Sequence, residues 1–214
     1  GRSSAPPEPE SYSLDLLADD IYHLVRHLQL DSCYFMGHSM GGMLVQHLAV
    51  QYPELVRGLV LIGTTAEPPD PTRFQARRRL IEIAREQGME AVFAAQLEMG
   101  LSQRLQDNPQ LIEMWRKEFL LTSREAYIYC ASAIARRPSL LAQLAALDVP
   151  ALIVCGQHDD PFLEPSRRMA EHMPASRLVV MEGCNHAPHV EKPQEFNSLL
   201  LEFLSRTALS PSSS

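Results

Sequence analysis

The alternation of apolar and polar positions divides this chain into helices and short strands. Between Ser13 and Leu30, residues Leu16, Leu17, Ile21, Leu24, Val25 and Leu28 recur at helical spacing, and Ser13 is a candidate N-cap. A compact apolar run at Ser32 to Met36 predicts a strand, and a glycine-flanked turn leads from it into a helix that reaches Gln51. Tyr52-Pro53-Glu54 stops that helix, and Val56 to Ile62 predicts a second strand closed by Gly63. The pattern changes at Glu67-Pro68-Pro69-Asp70-Pro71. From Thr72 to Leu147 it predicts only helices, punctuated by Gly88, Asn108-Pro109, Thr122-Ser123 and Pro138-Ser139. Strands return at Ala151 to Cys155 and Leu178 to Met181, with helices at Ser166 to Met173 and Gln194 to Leu204. Helices alternating with short apolar strands predict the α/β class with a parallel sheet, and the helical block predicts a cap inserted into it. The expected divisions are 1–67 for the first part of the core, 68–147 for the helical cap, 148–207 for the rest of the core and 208–214 for a disordered tail.

Composition narrows the partners. A chain of 214 residues with 45% hydrophobic content can bury one sizeable core. Its net charge of -7 argues against nucleic acid or an anionic membrane as partner, and no apolar run has the length of a membrane span. Cys33, Cys130, Cys155 and Cys184 show no metal-ligand spacing and read as structural thiols of a reducing, cytoplasmic compartment. No metal or cofactor is expected. Arg77-Arg78-Arg79 reads as a solvated helix face. Leu111, Ile112, Trp115 and Phe119 form an apolar stripe that suits packing between cap helices, and Trp115 is also a candidate for lining a substrate pocket.

The chemistry centres on Gly37-His38-Ser39-Met40-Gly41-Gly42. Strand, tight turn, serine and helix in succession are the context of a nucleophile elbow, whose glycines let the backbone bend and pack closely. A serine hydroxyl needs a base within hydrogen-bond reach, and histidine oriented by a buried carboxylate serves that need near neutral pH. Asp159 and His186 each follow a predicted strand, so a parallel sheet would bring both to the edge that carries Ser39.

These motifs in this order resemble the α/β-hydrolases of the capped esterase, lactonase and C–C hydrolase group. The resemblance extends to Tyr52-Pro53-Glu54-Leu55-Val56-Arg57-Gly58 with its strand, to Val149-Pro150 through Asp159, and to Gly183-Cys184-Asn185-His186 with Glu191-Lys192-Pro193. It implies a partial α/β-hydrolase sheet and a catalytic triad of Ser39, Asp159 and His186. It selects Asp159 over Asp160 through the G-x-x-D turn, and His186 over His189 as the first histidine of its loop. His38 reads as structural or pocket-lining, His158 as a loop residue and Cys184 as packing. The backbone N–H of Met40 is the implied first donor to an oxyanion.

The resemblance also implies strands and a second oxyanion donor ahead of Gly1, which leaves the strand at Ser32 to Met36 at a sheet edge. That predicts weak activity for the chain alone and self-association through the edge. The expected function is cleavage of a small ester, lactone or thioester through an acyl-enzyme. The same triad also serves C–C bond hydrolases and cofactor-free perhydrolases, and a noncatalytic small-molecule receptor is the alternative from another class.

Overall fold

The computed structural model describes residues 8–100 and 108–208. They group into two compact units, one of residues 18–66 and 140–208 and one of residues 8–17 and 67–139. In chain order the elements begin with α1 (Leu14–His27), β1 (Cys33–His38), α2 (Met40–Gln51) and β2 (Val56–Ile62). Helices α3 (Pro71–Glu86), α4 (Met89–Gly100), α5 (Pro109–Leu120), α6 (Arg124–Arg136) and α7 (Leu141–Ala145) follow. The chain then runs through β3 (Ala151–Gly156), α8 (Asp160–His172), β4 (Ser176–Met181), α9 (Pro188–Glu191) and α10 (Pro193–Ala208).

The first unit holds a parallel sheet of order β1-β2-β3-β4 among the described residues. Strands β2 and β3 read as nearly unbroken apolar runs because helices cover both faces of the sheet. The two-residue period of the strand sorts their side chains between two cores. Leu59, Leu61, Ala151 and Ile153 pack with Val45, Leu144 and Met169 of α2, α7 and α8. Val60, Ile62, Leu152 and Val154 pack with Met181, Cys184 and Phe196 of α10. Strand β1 pairs only with β2 among the described residues, and its Met36 is 55% exposed, as expected of the edge.

Local chemistry explains the ends of α1. Ser13 Oγ accepts from the Leu16 N–H at 3.1 Å, the expected N-cap. The helix stops at His27, short of the expected Leu30, because Gln29 takes a left-handed φ of 56°. The Gln29 and Leu30 N–H groups then close back onto Arg26 and Val25, as in a Schellman ending.

The second unit is helical. Leu80, Ile81, Ala84, Val92, Ile128 and Ala131 form its core. Asp70, Asn108 and Ser123 accept from the N–H three residues on and cap α3, α5 and α6, so the punctuation in the sequence marks helix starts. Arg78 and Arg79 are exposed as expected, whereas Arg77 is half-buried and burial holds its guanidinium below the ordinary range. Trp115 is 40% exposed, while Phe119 of the same stripe packs near Phe93 and Tyr127.

The units divide differently from the expected 68–147 boundary. Residues 140–147 belong with the sheet, where Leu140 and Leu144 are buried and Leu140 N–H donates to Ala66 at 2.8 Å. Residues 8–17, expected with the core, belong to the helical unit, where Tyr12 is buried beside Tyr129. Helix α8 starts six residues earlier than the expected Ser166, since Pro161 sits in its first turn, where no N–H is needed. Ala208 closes α10, and the remainder of the expected tail lies outside the described residues. Among the described residues, no helix is long and apolar enough to cross a membrane.

Candidate active site

Strand β1 ends at His38 and α2 begins at Met40, so Ser39 alone makes the turn. It does so at φ 54°, ψ -115°, a conformation that costs a non-glycine residue about 1–3 kcal/mol. The surroundings hold it there. Ser39 N–H donates to Ile62 at 2.9 Å, and Thr64 Oγ1 donates to the Ser39 carbonyl at 2.8 Å. A Cβ at Gly37 would collide with the Gly41 carbonyl, and one at Gly42 would lie 2.6 Å from the Thr64 side chain. The glycines are therefore what lets the strand and helix meet at this angle. Met40 opens α2, and its N–H is among the first-turn donors that have no acceptor within the helix.

The parallel sheet brings the ends of all four strands to one edge. Asp159 follows β3 and His186 follows β4. His186 Nε2 lies 3.0 Å from Ser39 Oγ, and His186 Nδ1 lies 2.9 Å from Asp159 Oδ2. An ionised carboxylate only accepts, so Nδ1 carries the proton and Nε2 is left to accept from the serine hydroxyl. Asp159 is 2% exposed, and it sits at the N-terminus of α8, where the helix dipole favours its charge. Asp160, the competing acid, is exposed in the first turn of α8. The acid and histidine loops are also tied to each other. Gln157 N–H donates to Met181, His158 N–H to Cys184, and Gly183 N–H to the Gln157 side chain, at 2.9 to 3.0 Å. Cys155 Sγ lies 4.0 Å from Asp159 Oδ2, and burial, with Asp159 beside it, pushes the thiol up to about 12.

Several neighbours of His186 escape sequence reading. Gly63, at φ 49°, faces this hydrogen-bonded group so closely that a Cβ would lie 3.0–3.2 Å from His186 and Asp159 atoms. Phe162, in the first turn of α8, stacks on the His186 ring with centroids 4.9 Å apart. Glu191 is a carboxylate only 2% exposed. It accepts from Asn185 N–H at 3.1 Å and from Ala187 N–H at 3.2 Å, on either side of His186. In the sequence Glu191 stands only as part of the family pattern; its contacts depend on the short helix α9, which periodicity is too coarse to detect.

His38 points back toward this loop. Its Nε2 donates to the His186 carbonyl at 2.8 Å, and its ring lies 4.8 Å from His186 and 4.7 Å from His189. Burial, with His186 and His189 beside it, lowers His38 to about 3, so it stays neutral next to His186. His189, the competing base, packs against His38 and Phe196, and burial lowers it as well. His158 is exposed in the acid loop and Cys184 is fully buried in the core. Trp115 lies on α5 in the helical unit. Among the described residues, no cluster of three or more His, Cys, Asp or Glu side chains could hold a metal ion.

Comparison with known proteins agrees with this architecture. The alpha/beta hydrolase fold family matches residues 1–193. The chain is 31% identical over 199 residues to 3-oxoadipate enol-lactonase 2 of Acinetobacter baylyi, covering 92% of this chain and 72% of that protein. An esterase from Thermogutta terrifontis has a similar structure, with TM-score 0.85 and 28% identity, covering 97% of this chain and 76% of that one. An enol-lactonase from Burkholderia xenovorans is similar at TM-score 0.86 and 27% identity, with 96% and 77% covered. Matched along most of its length in sequence and in fold, the chain belongs to the alpha/beta hydrolase fold family and is a hydrolase.

Proposed function

We propose that this hydrolase cleaves small esters, thioesters and lactones through an acyl-enzyme on Ser39. The observation that carries the reading is the continuous hydrogen-bond chain from Ser39 Oγ through His186 to Asp159. Ser39 Oγ attacks the substrate carbonyl as its proton passes to His186 Nε2, and the imidazolium is steadied by the buried Asp159 carboxylate. The tetrahedral oxyanion is met by the Met40 N–H at the start of α2, where the helix dipole also favours negative charge. Collapse breaks the bond to the leaving oxygen or sulfur, which takes the proton from His186. A water molecule, deprotonated by His186, then attacks the acyl group, and the second collapse returns the proton to Ser39. With a lactone the leaving oxygen stays tethered within the acyl chain, so a single hydroxy acid departs at the end.

The enol-lactonases among the relatives favour a lactone within this class. The test is hydrolysis of a panel of p-nitrophenyl esters and five- and six-membered lactones. The expected result is Ser39-dependent turnover, with Ser39→Ala slower by roughly 10⁶-fold in kcat. Equal turnover by the Ser39→Ala protein would refute the assignment.

A further inference from the structure

The peptide group between His186 and Ala187 is held at both ends. Its carbonyl oxygen accepts from His38 Nε2 at 2.8 Å, and its N–H donates to Glu191 Oε1 at 3.2 Å. The Cys184–Asn185 peptide is held as well, since Asn185 N–H donates to both Glu191 oxygens at 3.1 Å. These bonds hold the peptide that follows the His186 Cα and the one that enters Asn185 ahead of it, which leaves the ring chiefly its two side-chain torsions. Contacts with Phe162 and His38 restrict those. The Asn185 carbonyl lies so close to Gly156 that no side chain fits between them, which holds the loop against β3.

Glu191 is an uncommon choice for a loop staple. A carboxylate that is almost wholly buried carries a desolvation cost that a neutral acceptor would not, and its charge-assisted bonds to backbone N–H groups are correspondingly strong. His38 contributes a donor that adds no positive charge beside the imidazolium that His186 must become.

We propose that Glu191 and His38 are positioning residues for His186, a two-sided clamp on the His186–Ala187 peptide that sets where Nε2 meets Ser39 Oγ. The proposal rests on the reading of Ser39 and His186 as nucleophile and base. Neither clamp residue touches the reacting atoms. Their effect passes through the loop backbone, where a small rotation of one peptide swings the imidazole, and a misplacement of about 1 Å costs on the order of 100-fold in rate.

The test compares Glu191→Leu, Glu191→Gln, His38→Phe and His38→Gln with the unaltered chain, in samples shown to be folded by circular dichroism. Two quantities are read. One is the rate at which a fluorophosphonate labels Ser39, followed by intact mass. The other is the far-downfield proton resonance of His186 Nδ1–H bonded to Asp159. Removing the acceptor in Glu191→Leu is expected to slow labelling about 100-fold and to shift or abolish the resonance. Glu191→Gln keeps one carbonyl oxygen and His38→Gln keeps a donor of similar reach, so both are expected to recover most of the rate. His38→Phe is expected to fall between these extremes.

A merely structural role would lower the unfolding temperature and leave both readouts of the folded protein unchanged; that result overturns the proposal. If Glu191→Leu does not fold, the contrast between His38→Phe and His38→Gln decides, with equal labelling and an unmoved resonance counting against the clamp. If Ser39 in the unaltered chain takes no label, the hydrolytic reading fails. The resonance still reports whether the clamp sets the His186 ring against Asp159.

Discussion

The turn at Ser39 and the loop at His186 supply the two ends of one 3.0 Å hydrogen bond, yet they are built in different ways. The turn is shaped mainly by backbone sterics, with the Thr64 hydroxyl donating to the Ser39 carbonyl. Its glycines at 37 and 42 sit within a few residues of the serine, and a side chain at either would meet Gly41 or Thr64. The histidine loop is held by side chains from elsewhere: His38 comes from β1, Glu191 from α9, Phe162 from α8 and Asp159 from the end of β3. The first construction tolerates no bulk and is insensitive to charge. The second depends in part on His38 and His189, which burial keeps from taking up a proton, so acid should loosen it first.

That contrast can be broken most severely at Gly37. Gly37→Ala drives a Cβ into the Gly41 carbonyl, a backbone atom that cannot turn aside. The substitution is expected to cost more than about 3 kcal/mol, read as a drop in the urea midpoint or as loss of folded protein. A midpoint equal to that of the unaltered chain would show that the turn has room the structure does not reveal.

Acid should act on the other side of the comparison. His38 has an ordinary value of 6.5 when unfolded and about 3 in the fold. Between these values the unfolded chain binds a proton that the folded chain refuses, so stability falls as pH drops from 6.5 toward 3. One such group contributes at most about 1.4 kcal/mol per pH unit, and His189, lowered in the same direction, adds to the slope. Urea midpoints measured from pH 7 down to pH 4 should therefore decline less steeply in His38→Gln than in the unaltered chain. Parallel declines would mean that His38 is charged in the folded protein.

The smallest effect is expected in the first turn of the elbow helix. A Cβ at Gly41 would meet nothing within 4 Å, unlike one at Gly37. Gly41→Ala is expected to be neutral or to stabilise by up to about 1 kcal/mol through loss of unfolded-chain freedom, with turnover unchanged. A large loss of stability there would show that the elbow's need for glycine is not confined to the positions with close contacts.

The same contrast explains what could be read from the sequence. The Ser39 turn was legible because strand, glycines, serine and helix are contiguous, and so were the two apolar strands β2 and β3, whose burial on both faces leaves long hydrophobic runs. Asp159 and His186 were legible as residues that follow strands, since parallel pairing alone carries them to one edge. Glu191, Phe162 and Gly63 were not singled out. Each acts through a contact with a residue distant in sequence or in a loop whose path no periodicity specifies. The place of residues 140–147 is not legible for a related reason. Leu140 and Leu144 have the spacing of any amphipathic helix, and spacing cannot say which core will receive them.

If Ser39, His186 and Asp159 work as proposed, hydrolysis passes through an acyl group on Ser39, and that species can be trapped. The chain is mixed with a slowly turned-over ester, quenched in acid within milliseconds to seconds, and its intact mass and peptides are measured. One added acyl group is expected, located on Ser39, absent from Ser39→Ala and greatly reduced in His186→Ala. Turnover of the ester with no acylated Ser39 at any quench time, or an acyl group on another residue, would contradict it.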